Sequence, residues 1–249
     1  MGAQENGRKG IFGMNHDRIL AIAAHPDDLD FRLAGSAALW AREGRHVEYL
    51  ICTSGEKGFN GDGASSRSIE ERRAIRESEQ RAAARVVGVK EVHFLRHPDG
   101  ELANTLGLRR SLVRIMRQVK PSLVISDDPA KDTYDSFYGY HSDHRAIGQA
   151  VFDALYPAVG NENFFPELME EGLGPHKPKE AYFGSRDRPD TWIDISETFD
   201  LKVKALACHK SQIPDIEKLI PELRDWGRRN GEAKGLECAE SFRSLEVPQ

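Results

Sequence analysis

The stretch LAIAAHPDDLDF, Leu20 to Phe31, decides how the rest of the chain is read. The run RILAIAAH (18–25) is short, continuous and apolar, the pattern of a strand covered on both faces. It stops abruptly at His25-Pro26-Asp27-Asp28. Two neighbouring carboxylates repel each other at such a place unless something holds them. Working outward, HVEYLIC (46–52), EVHFL (91–95) and SLVISDD (122–128) predict further strands, and EAYFG and TWIDI shorter ones. Helical spacing is expected over 33–43, 68–88, about 105–119, His141 to about Leu155, 196–209 and 214–230. The second of these opens on a capping box, Ser68 with Glu71, and closes on Gly88. Strands alternating with helices predict the α/β class, with a parallel sheet and helices on both faces. Ligands then bind outside the carboxyl ends of the strands. That puts His25–Asp28 and Asp127–Asp128 at one rim.

The bulk numbers bound the rest. The chain has 249 residues, 39% hydrophobic and 30% charged, with a net charge of −5. It is long enough for a large core without disulfide staples. The mild acidity argues against a nucleic-acid partner, since no basic footprint dominates. The arginines at 72, 73, 76, 81 and 85 alternate with glutamates, as on a solvated helix face. Three widely spaced cysteines, Cys52, Cys208 and Cys238, read as reduced thiols of a cytoplasmic protein. No apolar run is long enough to span a membrane. Residues 1–15 read as a flexible lead-in and 16–249 as a single domain. The segment 156–180, rich in Pro, Gly and Glu, reads as a long loop or insertion, of a length often used for lids or interfaces.

Of nine histidines, His16, His46, His93 and His176 have bland settings. His25, His141 and His144 stand apart. HSDH opens a helix, so His141 and His144 share one side, with Asp143 beside them. A divalent cation explains the set. Catalytic zinc takes three ligands from His, Asp and Glu and keeps one position for water. His25, Asp28 and His144 make such a set, and Asp27 is left beside the water. HPDD alone reads equally as a turn with an N-cap Asp, and HSDH alone is a weaker signal still; their co-occurrence at two strand–loop–helix units is the signal.

Taken together, AHPDDLDFRLAGSAALWAREGRHVEYLICTSGEKG, RAIRESEQRAAARVVGV, FLRHPDGEL, HSDHRAIGQAVFDAL and the late ALACHKSQ resemble the PIG-L/LmbE-like zinc N-deacetylases over roughly residues 18 to 213. The resemblance implies a Rossmann-like three-layer fold and one Zn2+ per chain. It implies zinc ligands at His25, Asp28 and His144, and a general base at Asp27. It also implies His141, as a cation favoured by Asp143, as the group that stabilises the oxyanion and protonates the leaving amine, Asp143 as its acidic support, and Arg76 and His209 as substrate-side residues. The last of these approaches a neighbouring subunit's site in some members, which is compatible with a homo-oligomer. The implied reaction is hydrolysis of an N-acetyl group on an N-acetylglucosamine-type sugar or conjugate. A zinc amidase acting on another acylated amine, such as a thiol conjugate, is the alternative. Leu29 and Ser142 depart from the commonest family spellings, and the acid comes one place late, at Asp30.

Read from the helix pattern alone, Arg76 is an ion-pair partner of Glu79 or Gln80. A nucleotide-binding module without metal fits poorly, because it needs a Gly-x-Gly-x-x-Gly turn where this chain has His-Pro-Asp-Asp. The loops 54–67, 97–104 and 129–140 are expected to select the substrate. Tyr134, Phe137, Tyr138 and Tyr140 either stack on a sugar ring or pack the loop or an interface.

Overall fold

A computed structural model of the protein describes residues 16–60, 66–130, 137, 140–184 and 188–249. The lead-in 1–15, Tyr134 and Tyr138 lie outside the described residues. Seven strands form one sheet: β1 (Arg18–Ala23), β2 (His46–Thr53), β3 (Glu91–His97), β4 (Leu123–Asp127), β5 (Glu180–Gly184), β6 (Thr191–Asp194) and β7 (Ala239–Glu246). Their order is β3-β2-β1-β4-β5-β7-β6. The pairs β1–β2, β1–β4, β2–β3 and β4–β5 are parallel, and β7 runs antiparallel to both β5 and β6. The fold is therefore α/β with a mostly parallel sheet.

Among the described residues seven α-helices surround the sheet: α1 (Asp28–Arg42), α2 (Ile69–Val87), α3 (Leu106–Val119), α4 (Ser142–Asp153), α5 (Glu167–Glu170), α6 (Phe199–Leu206) and α7 (Ile216–Glu232). Successive residues of a strand point to opposite faces, and β1 divides accordingly. Ile19 and Ala21 join the core under α1, α2, α6 and α7. Leu20 and Ile22 join the core under α3 and α4. Both faces are thus covered, as an uninterrupted apolar strand requires. The sheet order reverses between β1 and β4, and their carboxyl ends deliver His25 and Asp127 to the same rim. Gly148 lets α4 lie close against that rim, since a Cβ there would sit 3.0 Å from the Asp127 carbonyl oxygen.

Three expectations need correction. Helix α1 starts at Asp28, earlier than residue 33, because the turn into it is made by Asp27 itself. Strand β7 was not foreseen. Its sequence AESFRSLE is polar because much of its length faces outward, and its buried acid, Glu240, is satisfied by Lys202 at 2.6 Å and by the Ser36 N–H at 2.8 Å. The 156–180 segment is neither lid nor plain loop. It contains α5, and fully buried Arg117 donates to the carbonyls of Val159, Ala158, Asn161, Phe164 and Leu173. His176 and Lys179 tie it to Pro121 and Ser122, at the start of β4 and so opposite the rim.

The histidines read as bland are so. His46 and His93 both contact the Glu48 carboxylate at 2.7 Å, and His16 is buried against Glu180. The Glu48 cluster with Glu91 and His93 has a spacing that suits a cation, but the Arg18 guanidinium already sits 3.3 Å from Glu48 and supplies the positive charge.

Candidate active site

Strand β1 ends and the chain turns sharply into α1. Asp27 makes that turn with φ +87°, a left-handed conformation in which a non-glycine residue is strained. The surroundings hold it there. Its N–H donates to Gln80 Oε1 at 2.9 Å. Its carbonyl accepts from the N–H groups of Asp30 and Phe31. Its carboxylate lies 3.1 Å from Arg76 Nη2. The turn points Asp27 and Asp28 in different directions. Asp28 Oδ2 is 3.3 Å from His25 Nδ1, and its Oδ1 is 3.1 Å from His144 Nε2. The two ring nitrogens are themselves 3.3 Å apart.

Those three separations test the metal. An ion bound tetrahedrally at about 2.0–2.1 Å holds its ligand atoms about 3.3 Å from one another. The nitrogens and carboxylate of His25, Asp28 and His144 are already spaced that way, so the residues fit a small tetrahedral cation. The outer nitrogen of His25 is occupied as well. Its Nε2 lies 3.2 Å from Asp143 Oδ2 and 3.2 Å from Asp99 Oδ1. A carboxylate on the far side of a ligating imidazole fixes its tautomer and orientation. Asp143 is in turn fixed by the N–H groups of Gly100 (2.8 Å) and Leu102 (3.2 Å). Asp99 is fixed by those of Lys57 (2.8 Å) and Gly58 (3.2 Å).

The electrostatics follow from this packing. Burial alone would raise the Asp28 carboxyl, but His144 and His25 reverse that and hold it well below the ordinary range. Burial pushes the Asp27 carboxyl up to about 6; Arg76 opposes the shift and the Asp28 charge adds to it. Burial works to lower His25, yet Asp28, Asp143 and Asp99 carry it well above 6.5. His141 moves the other way. Burial and the neighbouring His25 and His144 lower it, outweighing the upward pull of Asp143. Its ring packs 5.1 Å from that of His25. Its Nδ1 accepts from the Asp143 N–H at 3.2 Å, which leaves Nε2 to carry the proton.

The residues 20–155 match the family described as GlcNAc-PI de-N-acetylase, PIG-L. Diacetylchitobiose deacetylase of Thermococcus kodakarensis is 32% identical to this chain, over 91% of it and 82% of the relative. The chain belongs to the PIG-L family. A probable N-acetyl-alpha-D-glucosaminyl L-malate deacetylase 2 of Bacillus anthracis is 30% identical, over 80% of this chain and 82% of its own length. The solved N,N'-diacetylchitobiose deacetylase of Pyrococcus horikoshii superposes with a TM-score of 0.84 at 31% identity, covering 93% of this chain and 84% of that one.

Within this PIG-L member, His25, Asp27, Asp28, His141, Asp143 and His144 are brought together as the sequence implies. Arg76 is close but differently employed. It pairs with neither Glu79 nor Gln80. It is buried, donating to the Gly55 carbonyl at 2.6 Å and the Pro26 carbonyl at 2.7 Å besides Asp27. His209 is corrected more strongly. It is fully buried, with Nε2 2.8 Å from Asp30 Oδ2, so within this chain its ring is engaged by Asp30. Asp30 is explained by the same contact. Two residues were missed. Asp99 had a signal, because His97-Pro98-Asp99 after β3 echoes His25-Pro26-Asp27 after β1. Gln80 had none beyond its place on α2. Phe137 is almost wholly exposed, and Tyr140 lies under the Arg145 guanidinium.

Proposed function

We propose that this chain, as a single catalytic domain over 16–249, is a zinc-dependent hydrolase that removes the acetyl group from an N-acetylglucosamine-type sugar or conjugate. The reading is carried by one observation: a nitrogen of His25 and one of His144 lie 3.3 Å apart, each within 3.3 Å of one oxygen of the Asp28 carboxylate, with the neighbouring Asp27 carboxylate held by Arg76. His25, Asp28 and His144 hold the ion, one per chain. When bound, zinc supplies Lewis acidity, lowering the pKa of its water to about 7 and polarising a carbonyl.

The protein's own groups do the rest. Asp27 takes the proton of the attacking water and passes it to the departing amine nitrogen, so one carboxylate serves as base and then acid. His141 donates from Nε2 to the amide oxygen as negative charge develops there. It does so as a neutral imidazole, given its lowered pKa and its Nδ1 acceptor role. Asp143 and Asp99 hold His25 in register, and Arg76 fixes the direction of Asp27. Thiols at Cys52, Cys208 and Cys238 are unpaired, which supports a reducing compartment such as the cytoplasm. No helix among the described residues is long and apolar enough to cross a membrane.

The test uses the zinc-loaded protein on a panel of N-acetylglucosamine, N,N'-diacetylchitobiose, N-acetylglucosaminyl malate and non-sugar N-acyl amines, with acetate release measured. Sugar derivatives should be turned over. Asp27→Ala should keep zinc and lose about 10²–10⁴-fold in kcat, and His144→Ala should lose the zinc. Turnover confined to non-sugar amides would replace the substrate class, and an active Asp27→Ala would remove Asp27 as base.

A further inference from the structure

Behind Asp27 lies a chain of buried polar contacts that the reaction itself does not use. Gln80, Asp30 and His209 are all fully buried. Gln80 Oε1 accepts from the Asp27 N–H at 2.9 Å, and Gln80 Nε2 donates to Asp30 Oδ2 at 2.8 Å. The amide orientation has no ambiguity, because a backbone N–H only donates and a carboxylate only accepts. His209 Nε2 meets the same Asp30 oxygen. The segment that carries His209 is tied down twice more. Ser211 binds Glu79 through its N–H and hydroxyl, and the Gln212 amide donates to the Gly58 carbonyl at 2.9 Å.

We infer that Gln80 is a positioning residue for the proposed base, holding Asp27 in its left-handed turn by bridging the Asp27 N–H to the buried Asp30–His209 pair. The inference rests on the reading of Asp27 as base. The physical need is plain. A left-handed aspartate is strained and persists only where its neighbours over-determine it. The Asp27 N–H is not part of any helix or strand ladder, so Gln80 is what fixes that peptide plane. Arg76 fixes the other end of the residue, at the carboxylate. Released from Gln80, the turn relaxes and the carboxylate moves away from the water while Asp28, His25 and His144 keep their own contacts. A displacement of about 1 Å at a reacting group is worth up to about 100-fold in rate.

The test compares Gln80→Met with the exchange Gln80→Glu/Asp30→Asn, using the zinc-loaded full chain and the best sugar of the panel. Gln80→Met removes both hydrogen bonds at similar volume. The exchange keeps an acceptor at residue 80 for the Asp27 N–H and reverses the bond to residue 30, where the new amide donates to the new carboxylate and to a neutral His209. Gln80→Met should lower kcat about ten- to 100-fold, with KM and zinc content unchanged. The exchange should recover kcat to within about threefold of the parent. A crystal structure of Gln80→Met should show Asp27 out of the left-handed region. A Gln80→Met protein with parental kcat, or with Asp27 unmoved, overturns the inference. So does an exchange variant that folds and binds zinc yet stays as slow as Gln80→Met. If Gln80→Met does not fold, the exchange variant decides alone: folded and active supports the bridge, folded and slow overturns it. Failure of the base reading is seen separately, in an active Asp27→Ala.

Discussion

At the scale of single residues, the site is a problem of too many like charges in a small volume. Asp27, Asp28, Asp99 and Asp143 crowd around His25, and each is compensated differently. Asp28 has two imidazoles, Asp27 has Arg76, and Asp99 and Asp143 have backbone N–H groups together with the outer nitrogen of His25. Without an ion, the positive charge between them is a proton. That fixes the pH dependence of metal binding. His25 lies well above 6.5 in the metal-free protein, where its acidic neighbours outweigh burial, and His144 is raised for a similar reason, with Asp28 and Asp127 beside it. The shifts favour the protonated imidazoles, and a ligating imidazole must be neutral. Zinc binding should therefore release protons, and the apparent affinity should climb as pH rises. Calorimetric titration of zinc in buffers of different ionisation enthalpy counts those protons directly; binding with no proton release would show that the histidines are neutral beforehand. The proposed ligands, and Asp27 beside them, are legible in the sequence because they are neighbours along the chain in two short motifs. Gln80 and Asp99 reach the site from far along the chain, from α2 and from the loop after β3; Asp99 is marked only by the echo of His-Pro-Asp at 97–99, and nothing in the local pattern marks Gln80.

At the scale of elements, the turn after β2 matters as much as the turn after β1. Thr53 donates its hydroxyl to the Ala24 carbonyl at 3.0 Å, joining the two strand ends. Gly55 follows with φ +63°, and a Cβ placed there would sit 2.1 Å from Arg76 Nη1. The glycine thus serves two needs at once, a left-handed turn and the passage of a buried guanidinium to Asp27. Gly55→Ala should displace Arg76, lower kcat at least about tenfold, and cost about 1–2 kcal/mol for the left-handed alanine. Steady-state kinetics alongside a thermal melt would check both; an alanine variant with parental kcat would mean Arg76 does not set the direction of Asp27. The elements themselves were legible where pattern and punctuation agree, as in α2, whose capping box at Ser68 and C-cap at Gly88 both form. They were not legible where long-range pairing overrides pattern. β7 looks polar in isolation and becomes a strand because β5 and β6 offer it ladders on both sides.

At the scale of the whole molecule, chemistry and stability occupy opposite ends of the sheet. The rim at the carboxyl ends of β1, β2 and β4 gathers charged groups and a strained turn, neither of which favours folding. The other end is closed by the 154–173 segment wrapped around Arg117, which donates to five of its carbonyls, those of Phe164 and Leu173 having no backbone donor besides it. Composition marked that segment as irregular, but only the buried arginine, which sits on α3 and not in the segment, explains why it is ordered. Arg117→Met keeps the apolar stem and removes every donor. A buried acceptor left unpaired costs about 1–3 kcal/mol, and the segment can re-solvate part of its backbone, so a net loss of about 3 kcal/mol is expected. For a chain of this size that lowers Tm by roughly 6–12 °C. Because the segment is anchored at Pro121 and Ser122, the start of β4, and the site lies beyond Asp127 at its end, kcat on the sugar panel should stay within about twofold below the melting range. Thermal unfolding paired with kinetics at low temperature separates the two effects. A variant that keeps its Tm but loses turnover would mean that this far end is coupled to the rim through β4, and that the division between a stabilising end and a reacting end is wrong.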